Sequence, residues 1–167
     1  MNEKVALVTG ANKGIGFGIA KHLGLSGWKV IVGARNKERA RDAIRQLKSV
    51  GVDVLGWVNI ELKDIAGIEQ AAMEVSGKYP NLSLLVNNAG IPGDMSVNSR
   101  HTDLCDIRET LDVNFVGTFA LTRALLPLLT AKFQVSLTTN HELAYIIPLI
   151  CFAVCAWYGW KGHVVKD

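Results

Sequence analysis

The chain has 167 residues, 49% of them hydrophobic and 20% charged, with a formal net charge of +3. That length suits one domain burying roughly two thirds of its unfolded surface, and the composition excludes a disordered chain. Basic residues between 37 and 48 are scattered as on the wet face of a helix, against a nucleic-acid surface, and Cys105, Cys151 and Cys155 show no disulfide spacing, as in a reducing cytosol.

Residues 5–9 form a short apolar run ended by glycine, which predicts a buried strand. Residues 15–25 place Ile15, Ile19, His22 and Leu23 on one helical stripe, which Gly27 closes. A second buried strand follows over 28–33, then an amphipathic helix over 37–50 carrying Ala40, Ile44 and Leu47, closed by Gly51. A third strand is expected over 52–58, a helix over 65–78 capped by Asp64, and a fourth strand over 82–86. A loop with Gly90, Pro92 and Gly93 leads to a long helical region over 103–129, with an interruption expected at 112–114. The alternation implies parallel strands with right-handed crossovers, covered on both faces: an α/β, doubly wound sheet. No secretory leader is read at the start, so a cytoplasmic location is expected. No metal site is expected either: Cys151 and Cys155 lack a histidine pair, and His141-Glu142 is followed by Tyr145 where a zinc motif needs its second His.

Thr9-Gly10-Ala11-Asn12-Lys13-Gly14-Ile15-Gly16 lies between the first strand and the first helix. Gly10 permits the turn off the strand, Gly14 lets backbone N–H groups approach a pyrophosphate, and Gly16 lets the helix pack close to the sheet. The helix N-terminus adds aligned donors and partial positive charge. A free ribose 2′-hydroxyl calls for an acid at the end of the second strand, where this chain reads Gly33-Ala34-Arg35-Asn36. Arg35 and Lys13 instead suit a 2′-phosphate, so NADP(H) is the expected cofactor.

These residues resemble the short-chain dehydrogenase/reductase family. Its glycine pattern is matched at Thr9, Gly10, Gly14 and Gly16, its Asn-Asn-Ala-Gly at residues 87–90, and its helix asparagine at Asn114. The wording around Asn12, Lys13 and Ile15 is most similar to the carbonyl-reductase branch, and the resemblance covers about residues 4–129. It implies a Rossmann-type sheet of about four to five strands instead of seven, over a cofactor-binding unit of residues 1–130. It further implies that Asn87 stabilises the central sheet, that Ala89 and Gly90 let backbone approach the cofactor ribose, that Asn59 and Ile60 lie beside adenine, and that Asn114 anchors a proton-relay water. The implied activity is NADPH-dependent reduction of a small-molecule carbonyl substrate.

Residues 131–167 depart from that pattern. The family's catalytic Tyr-x-x-x-Lys has no match: Tyr145 is followed at four by Leu149, and Tyr158 by Gly162. Residues 133–139 suit a strand, and Thr139 lies nearest the family's catalytic Ser. Residues 143–160 carry no charge. The segment reads as a divergent replacement of the family's catalytic half, as alternative splicing or a frame change would produce. Three readings stay open for it: folding back over apolar surface, spanning a bilayer as an anchor, or remaining unpacked and aggregating. Cofactor binding with little or no catalysis is therefore expected; a non-catalytic NADP-binding or membrane-tethered interaction protein is the alternative.

Overall fold

The computed structural model describes residues 3–94, 96–97 and 101–130. The expected strand over 133–139, Thr139, Tyr145 and the uncharged run 143–160 lie outside the described residues. Strands β1 (Val5–Thr9), β2 (Lys29–Ala34), β3 (Val54–Asn59) and β4 (Leu82–Val86) form one parallel sheet in the order β3-β2-β1-β4. The crossovers are helices: α1 (Gly14–Leu25), α2 (Lys37–Ser49) and α3 (Ile65–Lys78). After β4 the chain runs into α4 (Leu104–Leu111), a π-helical segment (Asp112–Gly117) and α5 (Thr118–Thr130).

β1 is buried along its whole length because both faces are covered. On one face Val5, Leu7, Ile31 and Val58 pack with Ile68, Ala71 and Val75 of α3 and with Leu121 and Leu125 of α5. On the other, Val8, Val30, Val32 and Ala34 pack with Ala20 of α1 and Ala40 and Leu47 of α2. Asn36 and Asp64 cap α2 and α3 by accepting the Arg39 and Gly67 N–H groups at 2.8 and 3.0 Å.

Three sequence expectations hold only in part. The α1 stripe is packed only in part: Ile19 and Leu23 pack against the core, whereas Ile15 is 79% exposed and His22 is exposed, and Gly16 and Ala20 are the buried residues. Gly16 and Ala20 bring the helix close to the sheet, Phe17, Ile19 and Leu23 pack beside them, and Ile15 projects from the first turn. β3 begins at Val54 rather than residue 52, because the Val52 N–H closes α2 by donating to the Leu47 carbonyl at 3.1 Å. The interruption expected at 112–114 is present but is not a break: the helix widens into a π turn over Asp112–Gly117, where the Thr118 hydroxyl donates to the Val113 carbonyl five residues back at 3.4 Å. The run Leu104–Leu129 is the one span among the described residues long and apolar enough to cross a membrane. Its C-terminal half packs on the sheet, while Leu104, Ile107, Leu111, Phe115 and Phe119 face outward.

Gly117 brings this helical run onto the turn after β3. A Cβ there would overlap the Leu62 carbonyl oxygen. Gly117→Ala is therefore expected to destabilise the fold by about 1–3 kcal/mol, as other overpacked sites do. Urea unfolding measures it; a loss below about 0.5 kcal/mol would show that the helix shifts freely.

Candidate functional site

The chain leaves β1 to one side through β2 and β3, then returns to pair β4 on the other. The crossover direction thus reverses at β1, and a crevice opens beyond the carboxyl ends of β1 and β4. Both sequence motifs lie there: the glycine loop follows β1 and the Asn-Asn-Ala-Gly run follows β4. A cavity of about 540 Å³ fills the crevice, within the usual range for small-molecule sites.

Thr9 joins the two motifs. Its buried hydroxyl donates to the Val86 carbonyl at 3.2 Å and accepts the Asn88 and Ala89 N–H groups, each at 2.9 Å. The Asn88 amide in turn donates to the Thr9 carbonyl at 2.9 Å. Gly16 completes the junction: a Cβ there would sit 2.5 Å from the Gly10 carbonyl oxygen and overlap the Asn88 amide. Neither Thr9 as a hydrogen-bonding hub nor Asn88 is among the sequence-predicted site residues. The only sequence signal for them is their place inside the two motifs.

The first turn of α1 opens on the cavity. α2, α3 and α4 each have a side-chain oxygen capping their N-terminus, whereas Lys13 at the N-cap of α1 provides none and the first turn holds no acid. Unsatisfied N–H groups therefore meet the cavity with the positive end of the helix dipole behind them. Gly14 lies at φ +56, and no atom stands within 4 Å of the point a Cβ would occupy, so its backbone is both left-handed and open. Gly10, Asn12, Lys13, Ile15 and Gly16 line the same end. This surface suits an anion.

Arg35 and Ile60, both expected, line the other end with Arg39 and Glu61, which sequence reasoning missed. The Ala34 carbonyl at the close of β2 accepts the Trp57 indole N–H at 2.8 Å, which holds the strand end. Arg35 Nη1 lies 3.6 Å from Glu61 Oε2, with the side chains 68% and 36% exposed. Just beyond β3, Glu61 thus sets a carboxylate beside Arg35. Asn59 ends β3 opposite Ala34 and lies off the cavity lining. Next to Glu61, the Lys63 ammonium is held above its ordinary pKa by a 2.8 Å hydrogen bond to the Glu109 carboxylate.

Ala89 and Gly90 line the cavity wall after β4. Asn114 stands behind them in the π turn and clamps the wall: its Oδ1 accepts the Ile91 N–H at 2.8 Å and its Nδ2 donates to the Ile91 carbonyl at 2.7 Å. Asn87 donates to the Thr122 hydroxyl of α5 at 3.0 Å and lies off the lining. Thr139 is outside the described residues.

The sequence pattern of the family described as short chain dehydrogenase matches residues 4–137. The short chain dehydrogenase/reductase dpchH of Colletotrichum higginsianum is 36% identical over 135 residues, covering 78% of this chain and 33% of that protein. A crystal structure of a variant of the actinorhodin polyketide ketoreductase with NADPH superposes with a TM-score of 0.73 at 26% identity, covering 93% of this chain and 62% of that one. A metagenomic short-chain oxidoreductase in complex with NADP superposes with a TM-score of 0.69 at 30% identity, covering 77% and 57%. The chain thus spans between about a third and three fifths of the length of these relatives.

Removing the Thr9 hydroxyl leaves two N–H groups and a carbonyl without their partner. Thr9→Val is expected to cost about 2–4 kcal/mol, whereas Thr9→Ser, which keeps the oxygen, costs less than half of that. Chemical denaturation of both variants checks the order; equal losses would show that the hydroxyl contributes no more than the methyl group.

Proposed function

The chain belongs to the short chain dehydrogenase family, and on that basis we propose that it binds NADP(H) in the crevice between β1 and β4. The observation that carries the proposal is the uncapped, glycine-opened N-terminus of α1 facing a cavity whose far end holds Arg35 and Arg39. The diphosphate would take the backbone N–H groups of residues 13–16, with Lys13 as countercharge. Arg35 and Arg39 would meet the 2′-phosphate, which guanidinium groups bind in fork geometry. Ile60 offers an apolar wall for adenine, and Ala89 and Gly90 keep side-chain bulk away from the ribose. Asn114 acts as a positioning residue: its two bonds to Ile91 hold that wall in place.

When bound, NADPH supplies a hydride to a carbonyl carbon, and the carbonyl oxygen must then receive a proton. The reaction class is therefore oxidoreductase, with a small-molecule carbonyl compound of the carbonyl-reductase kind as substrate. Within these 167 residues no Tyr stands four before a Lys, the arrangement that would put a proton donor and the cation lowering its pKa on one helix face. The described residues lining the cavity also include no His, Tyr or Cys to serve as the acid. We therefore propose that this chain holds cofactor with little or no turnover, a loss on the order of 10²–10⁴-fold relative to a reductase with its general acid.

Two measurements test this. Titration of nicotinamide fluorescence should show binding of NADPH, and Arg35→Ala should weaken it about tenfold, as loss of one charge-assisted bond does, while NADH binding changes less than threefold. No response of the folded chain to either dinucleotide at millimolar concentration would overturn the assignment. NADPH oxidation with quinone or aldehyde substrates should stay near background; steady turnover abolished by Tyr145→Phe would show that the chain has an acid after all.

A further inference from the structure

Five apolar side chains line the outward side of the long helical run. Leu104, Ile107, Leu111, Phe115 and Phe119 follow one another at steps of three or four residues, so they form one stripe. Each is at least 40% exposed. Contiguous apolar surface of this kind marks a contact face rather than a solvated one. Charge frames it at both ends. The exposed Asp103 stands just before Leu104, and the exposed Arg123 stands four residues past Phe119, on the same side of α5. Asp103 and Arg123 are 20 residues apart, about 30 Å at the helical rise.

The chain carries a segment with the matching pattern. Residues 143–160 are uncharged and mostly apolar, with Glu142 just before them and Lys161 just after. Glu142 and Lys161 are 19 residues apart, about 29 Å at the same rise. We propose that this segment lies antiparallel along the stripe of its own chain, with Glu142 beside Arg123 and Lys161 beside Asp103. The opposite direction would set Glu142 against Asp103 and Lys161 against Arg123, like against like. The connection has length to spare. Arg123 is seven residues before Thr130, so about 11 Å of α5 must be retraced, and residues 131–141 can span up to about 36 Å. Tethering favours this occupant over a second copy, because a linker of such length holds the segment at an effective concentration of about millimolar. A bilayer is less favoured, because 18 residues, with Pro148 among them, fall short of the roughly 20 that a membrane-crossing helix needs. Apolar contact supplies the stability of the packed segment, and the two exposed end pairs set its direction.

The test uses the full chain, as an equilibrated mixture of isotopically heavy and light copies treated with a short bis-maleimide. The chain's cysteines, Cys105, Cys151 and Cys155, are the probes. Cys105 lies two residues after Asp103 and Cys155 six before Lys161, so the antiparallel arrangement sets them about 6 Å apart along the axis, against about 12 Å for Cys151. The expected main product is a Cys105–Cys155 bridge within a single chain. Ile107→Lys combined with Leu111→Lys should lower its yield by about threefold or more, since the segment would then bury charge. Arg123→Glu should lower it about twofold, and adding Glu142→Arg to that variant should restore it, which recovery from a folding defect would not explain. Heavy–light bridges as the main product would give the face to a second copy. Retention of the full chain on carbonate-washed phosphatidylcholine vesicles would give the segment to the bilayer. A yield no higher than in concentrated urea, unmoved by the two lysines, or not restored by the charge exchange would leave the stripe without this occupant. Each of these results overturns the proposal.

Discussion

The hydroxyl of Thr9 is the point on which the site depends. One oxygen donates to the last carbonyl of β4 and accepts two N–H groups from the residues after it, so it ties the glycine loop to the wall opposite. Strand pairing alone would leave these two loops free beyond the sheet, since the β1–β4 ladder ends at Val8 and Val86. A buried, threefold-bonded hydroxyl extends that ladder by one more residue without a strand. The crevice therefore has fixed walls, and a ligand entering it need not order them.

Around this pin the site is built from strand ends rather than from any one element. β1 contributes the glycine turn and the α1 N-terminus, β2 contributes Arg35 and the start of α2, β3 contributes Ile60 and Glu61, and β4 contributes Ala89 and Gly90. Each is placed by a separate backbone device: the Trp57 indole at the close of β2, the Glu61–Asp64 turn after β3, and the Asn114 clamp on Ile91. The electrostatics divide along the cavity. One end presents backbone N–H groups and a lysine. The other sets two guanidinium groups against one carboxylate.

The strands were legible because a parallel sheet covered on both faces demands short uninterrupted apolar runs such as residues 5–8 and 30–32. The glycine loop was legible because its spacing has a mechanical reason, and Gly16 indeed brings α1 to the Gly10 carbonyl. Periodicity was less informative along α1, where glycine and alanine make the closest contacts: of one helical stripe, Ile19 and Leu23 pack on the core while Ile15 stands over the cavity. Glu61 was missed because it lies past the end of β3, and only the folded turn brings its carboxylate to Arg35 and the cavity. Arg39 was missed because the charges of α2 look alike in one dimension; only the cap at Asn36 turns its first residues toward the crevice.

The π turn over Asp112–Gly117 also sets angular phase. An α-helix turns about 100° per residue, and the wider winding of a π turn takes up one additional residue. Upstream of it, Leu104, Ile107 and Leu111 point to solvent; downstream, Leu121 and Leu125 point into the sheet. The turn thus behaves as a local one-residue insertion absorbed without a loop. It lets a single continuous rod present Asn114 sideways to the crevice wall while seating its far half on the core. A helix of uniform pitch through the same sequence would have to give up one of these two alignments.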